Sequence, residues 1–464
     1  MARQSGMRNM TEGGAAGHIF AFALPLLAGS FLQQLYNMVD SWVVGKYVGD
    51  SALAAVGVGF PVIFMFTSLF TGLANGGTVV IAQFYGAGKL DRVRDAVDTI
   101  YTAFVCAAVP VTVLALLAVE PILWLLRVDP SAYRDAWVYL MVVCAGLVGT
   151  IGYNLNAGIL GGLGNSRSTL LFLATAAVMN IILDLVLVLW AGLGVLGVAL
   201  GTIISQAFSW LFGLFYINRR YPQIAIHPFS RRFDRQLFRQ IMGIGLPAGI
   251  QMSLVAVGSM VIMSKVNSYG EAYTAGYNVG YKVDQLAFLP IQSLSNALTA
   301  FVGQNMGAKR PDRARRGVRV GVASAVGWSV AMAAVLIPCA PSLIAFFSQT
   351  PAVIGAGAAY LRGIMPFYVL FAVFFTLNNA MRGAGESVFP MVNTVLSLIL
   401  LRVPSVYLIA NRFGPEAMYC GFGVGWAVGF AATVTYYLSG RWKRRGSLAD
   451  RDGAPPAEGQ PDTY

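Results

Sequence analysis

Charged residues are scarce in this sequence. Of its 464 residues, 11% are Asp, Glu, Lys or Arg, whereas 57% are hydrophobic. A soluble domain carries about 25% charged residues, so the composition excludes an ordinary soluble protein. The charges are confined to short intervals between long apolar runs, which is the pattern of a helical protein that crosses a bilayer many times.

Residues and motifs that carry enzyme chemistry are also few. The two histidines, His18 and His227, border the ends of apolar runs, so no Ser–His–Asp arrangement is predicted. A GxxxxGK[ST] phosphate loop is absent, which argues against ATP-driven transport by this chain alone. The four cysteines lie inside apolar runs without CxxC spacing, so they indicate neither a disulfide nor a metal site. We predict that the chain is not an enzyme.

Twelve apolar runs are long enough to span a membrane, each with at least about 18 residues. They lie near 17–44, 52–83, 96–119, 135–156, 168–190, 195–217, 240–264, 273–304, 318–340, 353–379, 387–411 and 417–439. The predicted fold is therefore an all-α polytopic membrane protein. The net charge of +12 is spread over the intervals between runs rather than gathered in one patch with stacking aromatics, so nucleic-acid binding is not predicted.

The distribution of Lys and Arg gives the orientation. With the N-terminus in the cytoplasm, the segments on that side hold 24 Lys and Arg residues and the segments on the opposite side hold 5. The positive-inside rule therefore predicts that both termini are cytoplasmic. The chain would be a multi-pass protein of the plasma membrane.

The sequence repeats itself at a spacing of 221 residues. LANGGTVVIAQFYGAGKLDRVR, from Leu73, aligns with LSNALTAFVGQNMGAKRPDRAR, from Leu294, and pairs Gln83 with Gln304. Two halves of six spans have the same orientation, which makes the repeat parallel and is typical of transporters that rock two halves about a midplane cavity. We predict a six-helix lobe at 1–217, a basic cytoplasmic linker at 218–239, a second six-helix lobe at 240–440 and a basic, disordered tail at 441–464.

One carboxylate lies inside the first apolar run. The stretch PLLAGSFLQQLYNMVDSWVVGKYVG contains Asp40 as its single acidic residue. An ionised carboxylate in hydrocarbon costs roughly 3 kcal/mol or more, so such a residue usually faces a water-filled cavity or a partner. Helical spacing puts a polar stripe on the same face, made of Gln33, Tyr36, Asn37 and Asp40. We expect the stripe to line a cavity; the alternative is that Asp40 is solvated at the membrane surface.

The fifth and sixth runs carry further polar groups of the first half. Asn180 and Asp184 lie at i and i+4, so both face one side of a helix. A carboxylate with an amide oxygen forms half a shell for a hard cation, or a proton site. In the sixth run Thr202 follows two closely spaced glycines, which let its hydroxyl approach a neighbouring helix. Interhelical packing is the alternative role for the Asn and the Thr. Val261 stands where the repeat matches Asp40, so the second half lacks this carboxylate.

Further charges lie within or beside apolar runs of the second half. Lys265 ends the seventh run and can extend to the surface, whereas Lys282 and Asp284 lie about two to three turns into the eighth. Asp284 either lines a second-half cavity or pairs locally with a Lys. Arg402 interrupts the eleventh run, and no pattern in the sequence gives it a role.

Several motifs, taken together with the two halves, carry a family resemblance. They are YNMVDSWVVGKYVGDSALAAVG, AQFYGAG and GQNMGAK at the ends of the second and eighth runs, and GLGNS and GAGES after the fourth and tenth. In these features the chain from Pro25 to Ser439 resembles multidrug and toxic compound extrusion (MATE) transporters. The resemblance implies a secondary antiporter that couples inward flow of H⁺ or Na⁺ to export of small amphipathic, often cationic, organic compounds.

Within that family the chain looks most like the DinF-like branch. The branch uses an Asp of the first helix, an Asn and an Asp of the fifth and a Thr of the sixth. These positions match Asp40, Asn180, Asp184 and Thr202, which implies that they bind the coupling H⁺ or Na⁺. The NorM-like branch has acidic residues in the seventh and tenth helices, where this sequence has none. The implied substrate cavity contains Gln33, Tyr36, Asn37, Asp40 and Asp284.

Two rival functions remain at this point. A flippase of lipid-linked or polysaccharide precursors would have a cavity lined by several Arg or Lys, which the first half lacks. A membrane scaffold without transport activity would have no reason to keep lone carboxylates in apolar helices. The predicted partners are small organic substrates and the lipid bilayer, and the predicted oligomeric state is a monomer.

Overall fold

The computed structural model describes residues 6–126, 128, 130–227, 232–443 and 448–450. In this part of the chain the structure is helical and contains no β-strand. Eleven helices are long and apolar enough to cross a membrane, and a pair of helices bent by 49° supplies the twelfth span. The prediction of an all-α protein with twelve transmembrane helices is therefore confirmed.

Each lobe contains six spans. The first lobe consists of α1 (Ala15–Val48), α2 (Ser51–Gly86), α3 (Leu90–Leu125), α4 (Ala132–Ala145 with Leu147–Gly162), α5 (Ser166–Trp190) and α6 (Gly194–Arg220). The second lobe consists of α7 (Arg235–Asn267), α8 (Glu271–Gly307), α9 (Pro311–Ala345), α10 (Pro351–Gly383), α11 (Val388–Phe413) and α12 (Ala417–Leu438). Several helices extend beyond the apolar limits read from the sequence, because polar turns continue them past the hydrocarbon region.

The bend in α4 lies at Gly146, between its two segments. A Cβ added to Gly146 would overlap the side chain of Ile203 in α6. Sharp bends in helices occur where glycine or proline weakens the regular backbone ladder. The absence of a side chain at Gly146 therefore allows both the bend and the close approach of α6.

Both spans that carry the first-half carboxylates contain a π-helical segment. Val44–Val48 ends α1 one turn after Asp40, and Leu185–Trp190 follows directly after Asp184 in α5. Such segments are rare in proteins as a whole, but they occur frequently at functional sites. They change the direction in which neighbouring side chains point. The two carboxylates thus lie where the backbone departs from regular α-helical geometry.

Helix α1 belongs to the interiors of both lobes. Its residues Ile19 and Phe22 pack into the hydrophobic cluster of the second lobe. Val43 and Val44, near its other end, pack with residues of α4, α5 and α6 in the first lobe. Pro25 lies inside the helix between these two parts, where it removes one backbone hydrogen bond. A change in the relative position of the lobes must therefore be accommodated within α1.

Glycines let α2 of the first lobe contact α7 of the second along the backbone. A Cβ added to Gly72 would overlap the backbone of Gly249, and one added to Gly76 would overlap the carbonyl of Ile241. In return, a Cβ on Gly245 would lie 2.7 Å from the carbonyl oxygen of Gly72. Only glycine permits two backbones to approach this closely. We call the contact between Gly72, Gly76, Gly245 and Gly249 the glycine seam.

The described part of the predicted disordered tail is packed against the lobes. Trp442 is 1% exposed and lies in the second-lobe cluster, and Leu448 is 7% exposed and lies in the first-lobe cluster. Residues 444–447 and 451–464 lie outside the described residues. The basic composition of the tail did not indicate this packing, because single apolar residues carry no periodic pattern.

Candidate ion-coupling site

The structure brings together the two first-half carboxylates that the sequence placed on different helices. The carboxyl groups of Asp40 in α1 and Asp184 in α5 lie within hydrogen-bonding reach of each other. Asn180, one turn before Asp184, donates a long hydrogen bond of 3.4 Å from Nδ2 to Asp184 Oδ1. Asp184 is 0% exposed and Asn180 is 2% exposed. Three of the four predicted coupling residues therefore form one cluster.

Helix α6 makes room for this cluster with a glycine. A Cβ added to Gly201 would overlap Oδ1 of Asp184. One turn earlier, a Cβ on Gly197 would lie 3.0 Å from the carbonyl carbon of Leu187. The two glycines thus set the distance between α5 and α6. Of the two, Gly201 is the glycine that lies against a carboxyl group.

Several oxygen atoms of the cluster have no hydrogen-bond partner among the described residues. They are Asp40 Oδ1, Asn180 Oδ1 and Asp184 Oδ2, each buried at the atom. A buried acceptor without a donor costs about 1–3 kcal/mol, and more when it is charged. A proton shared by the two carboxyl groups, or a hard cation that accepts oxygen ligands, removes this cost. Binding of a proton or a hard cation is therefore one way to complete the hydrogen bonding and ligation of this cluster.

A narrow cavity, too tight in this conformation to hold a water molecule, lies beside the cluster between α1, α5 and α6. It is lined by Tyr36, Ala176, Ala177, Asn180, Thr202, Ser205 and Gln206. Thr202, the fourth predicted coupling residue, lies in this wall and donates its hydroxyl hydrogen to the carbonyl of Val198 at 3.1 Å. Its hydroxyl oxygen keeps a free acceptor position, since one donated bond uses only the hydrogen.

Ser205 and Gln206 are lining residues that the sequence interpretation missed. They follow Thr202 at i+3 and i+4, so all three lie on one face of α6. Oε1 of Gln206 is buried without a hydrogen-bond partner among the described residues. The same periodicity argument that selected the stripe of α1 would have found them.

The polar stripe of α1 is only partly inside this site. Tyr36 lines the cavity, and Gln33 is exposed but reaches the Tyr36 hydroxyl with its side chain. Asn37 is half-buried, and its backbone carbonyl accepts a hydrogen bond from Ser41 at 2.9 Å. Of the four stripe residues, Tyr36 alone lines this cavity, whereas Asp40 lies in the adjoining carboxyl cluster.

Asp284 lies in the second lobe, apart from this cluster. The Tyr360 hydroxyl donates to its Oδ2 at 3.1 Å, and the Tyr368 hydroxyl lies close to the same carboxyl group. Among the described residues no ion pair joins Asp284 to Lys282, which is exposed. The alternative of a local pairing with a Lys is therefore not seen, and Asp284 is instead surrounded by tyrosines.

Arg402 is buried in the second lobe, with 7% of its surface exposed. Its guanidinium lies over the ring of Phe422 at 5.1 Å, and Nε donates to the carbonyl of Leu398 at 3.1 Å. A cation over an aromatic face is stabilised by the ring quadrupole, the more so in a dry environment. Packing inside α11 and α12 therefore accounts for a charge that the sequence left unexplained.

A comparison with protein families decides the relationship suggested by these features. The family model described as MatE matches the chain twice, over residues 25–186 and 247–408. Each match covers most of one lobe. The two matches begin at Pro25 and Pro247, prolines that lie inside α1 and α7. The chain belongs to the MatE family. This MATE protein therefore has two homologous lobes, as the internal repeat predicted.

Curated relatives of this MATE protein carry names of multidrug resistance proteins. The probable multidrug resistance protein YpnP of Bacillus subtilis is 28% identical over 437 residues, covering 94% of this chain and 97% of the relative. The probable multidrug resistance protein NorM of Thermotoga maritima is 25% identical, with 93% and 94% covered. The family is thus one of multidrug efflux transporters. These names do not separate its branches, so the DinF-like assignment stays a prediction.

Solved structures share the fold of this MATE protein. An outward-facing multidrug resistance MATE family transporter of the MOP superfamily superposes with a TM-score of 0.86 at 23% identity, covering 95% of this chain and 98% of that one. A MATE structure in a bent conformation gives 0.86 at 22% identity, covering 96% and 98%. At these identities the likeness concerns the fold alone.

Proposed function

We propose that this chain is a cation-coupled antiporter that exports amphipathic, often cationic, organic compounds by alternating access. The observation that carries the proposal is the incomplete cluster of Asp40, Asp184 and Asn180 beside a cavity. A protein that only packs helices has no use for two facing carboxyl groups in an apolar region, because each costs free energy there. A transporter has a use for them, since the group that completes the cluster is the ion that it couples to.

The coupling ion is H⁺ or Na⁺. A single proton between Asp40 and Asp184 satisfies two acceptors at once. Na⁺ needs several oxygen ligands, which the two carboxylates, Asn180 Oδ1 and the Thr202 hydroxyl would supply. Either ion cancels negative charge between α1 and α5, so it changes how strongly the two helices are held together.

We propose that α1 transmits this change. Its first part is packed into the second lobe and its last turns into the first lobe, with Pro25 between them. Solved MATE structures have been described in bent and straight conformations, and bending at Pro25 is the corresponding motion that this helix permits. The ion and the substrate then compete because each favours a different conformation.

The substrate is proposed to bind between the lobes, against the inner faces of α1 and α8. Gln33, Tyr36, Asn37 and Asp40 supply polar contacts from the first lobe, and Asp284 supplies a carboxyl group from the second. Carboxyl groups near aromatic rings suit a cationic organic compound, since both attract positive charge. Both termini are assigned to the cytoplasm by the charge bias, and the unit that transports is a monomer. No Arg or Lys is among the residues that line the cavity, whereas a flippase of anionic precursors would need several.

The test is dye efflux from proteoliposomes that hold the purified protein, with H⁺ and Na⁺ gradients imposed separately. We expect one gradient to drive a fluorescent cationic dye, which identifies the ion. Asp40→Asn should abolish this coupled movement while the protein remains folded. Asp135→Asn is the matched control, because Asp135 accepts a hydrogen bond from Ser51 at 3.0 Å outside the cavity. Equal efflux by wild type and Asp40→Asn would remove Asp40 from the coupling.

A further inference from the structure

Two glutamines at equivalent positions of the repeat join the lobes near the ends of α2 and α8. Gln83 and Gln304 are both 0% exposed. Nε2 of Gln83 donates to the carbonyl of Gly383 in the second lobe at 3.1 Å, and Nε2 of Gln304 donates to the carbonyl of Gly162 in the first lobe at 3.1 Å. Each side chain therefore crosses from its own lobe to the other.

The same two side-chain amides also accept hydrogen bonds from residues near the two ends of the chain. Oε1 of Gln304 accepts the backbone N–H of Met10 at 2.8 Å, and Oε1 of Gln83 accepts the backbone N–H of Leu448 at 2.9 Å. One glutamine thus holds the N-terminal segment and the other the C-terminal segment. A buried amide that loses such partners pays the full cost of its lost hydration.

The backbones of α2 and α8 meet at this place. A Cβ added to Gly86 would overlap the carbonyl of Gln304, and one added to Gly307 would overlap the carbonyl of Gln83. No water fits between backbones this close. The ends of the two helices therefore form a closed contact between the lobes on the side that carries both termini.

The N-terminal segment, residues 6–14, bridges both lobes across this contact. Arg8 donates its backbone N–H to the carbonyl of Leu163 in the first lobe at 3.1 Å. Arg313 of the second lobe donates to the carbonyls of Met10, Glu12 and Gly13, at distances between 2.6 and 3.2 Å. Met10 is 0% exposed. A guanidinium with five fixed donors is suited to hold several carbonyls at once.

The described residues of the C-terminal segment, 441–443 and 448–450, also contact both lobes. Trp442 packs into the second-lobe cluster and Leu448 into the first-lobe cluster. Asp450 pairs with Lys309 of the second lobe at 2.7 Å. Both ends of the chain therefore contact both lobes on one side of the membrane.

We propose that Gln83 and Gln304, together with the N-terminal segment and residues 441–443 and 448–450, form a latch that holds the cytoplasmic gate closed and is released in each transport cycle. Opening this side requires α2 and α8 to separate, which breaks both glutamine–glycine bonds and leaves two buried amides without partners. The termini add contacts that must be lost at the same time. The inference rests on the two-lobe transport proposed above, but not on the identity of the ion or of the substrate.

The test measures the distance between the lobes on the terminal side. Spin labels are attached at Arg167→Cys in the first lobe and Arg315→Cys in the second, both exposed positions, and the distance between the labels is measured. The background variant has its four native cysteines replaced by alanine and retains dye transport. We expect Gln83→Met with Gln304→Met to raise the population at longer distances, by about fivefold for each lost hydrogen bond. Gln285→Met changes a half-buried glutamine on α8 whose side chain donates to the Tyr281 hydroxyl of the same helix, and it should leave the distances unchanged.

A second variant keeps the test valid if the double variant does not fold. Arg313→Ala removes the four hydrogen bonds from Arg313 to the N-terminal segment without a change in any buried amide, and Arg316→Ala is its exposed control. We expect longer distances for Arg313→Ala only. Unchanged distances in folded Arg313→Ala overturn the latch, whether or not dye transport persists. Longer distances in a protein without dye transport support the latch and count against the proposed substrate instead.

Discussion

Gly201→Ala is the substitution that tests the geometry of the ion-coupling site most directly. The added methyl group would overlap Oδ1 of Asp184, whereas it would lie 3.4 Å from Cγ of the same side chain. Because the overlapped atom is the end of a side chain, the carboxyl group can turn away and the helices can stay in place. The required shift is roughly 1 Å to reach ordinary van der Waals separation.

A shift of this size has different effects on stability and on coupling. Extra volume in a packed interior costs about 1–3 kcal/mol, and a side-chain end that can move brings the cost to the lower part of that range. A misplacement of about 1 Å in a functional group costs up to a hundredfold in rate. We therefore expect a folded protein whose ion-driven dye efflux is reduced by about tenfold or more.

The matched control is Gly197→Ala, one turn away on the same face of α6. Its methyl group would lie 3.0 Å from the carbonyl carbon of Leu187, so it also crowds α5 but touches no carboxylate. Thermal unfolding in detergent and efflux from proteoliposomes are measured for both variants. Comparable efflux in the two variants would show that the position of the Asp184 carboxyl group does not matter for coupling, and would refute the reasoning.

Three further predictions concern other parts of the molecule. Tyr360→Phe removes the hydroxyl that donates to Asp284, and we expect weaker export of cationic dyes with unchanged export of neutral ones, measured as the half-saturating dye concentration. Gly245→Leu should prevent the lobes from assembling, since its side chain has no room in the glycine seam; correctly inserted protein at wild-type level would contradict this. Asp234 caps α7 and pairs with Arg92 at 3.0 Å. Partial burial alone would raise the pKa of Asp234, but hydrogen bonds from the backbone of α7 and from Arg92 hold this pKa below its usual value. Its contribution to stability is therefore fully present above the usual pKa of about 4 and is lost as pH falls through the lowered pKa. Asp234→Ala should lower the thermal midpoint at pH 7, and the difference from wild type should shrink as the pH is lowered into the acid range.

Periodicity within one helix was enough to predict the parts of the site that a single helix carries. Asn180 and Asp184 were placed on one face by their spacing, and the structure has them in contact. The same argument gave the stripe on α1, but it does not say what covers a helical face. Gln33, for example, lies on the same helical face as the cavity-lining Tyr36 but is exposed.

Contacts between distant helices were out of reach of the sequence. The repeat aligned Gln83 with Gln304, yet their partners lie in the opposite lobe and in the termini, where no period marks them. The sequence predicted that the two glycines before Thr202 allow the close approach of a helix, but not that Gly201 makes room for the Asp184 carboxyl group, because a missing side chain does not identify its neighbour. Residues that make room for others are therefore the ones that sequence patterns describe least.

The glycine seam divides α2 into two unequal arms. The helix has 36 residues and is therefore about 54 Å long. At 1.5 Å per residue, Gly72 lies about 32 Å from its first residue and Gly76 lies about 15 Å from its last. If the lobes turn about this contact, the free end of α2 travels about twice as far as the end at Gly86. A small separation of the lobes among the closely packed termini would thus accompany a larger approach of the lobes on the opposite face of the membrane, where the proposed substrates leave.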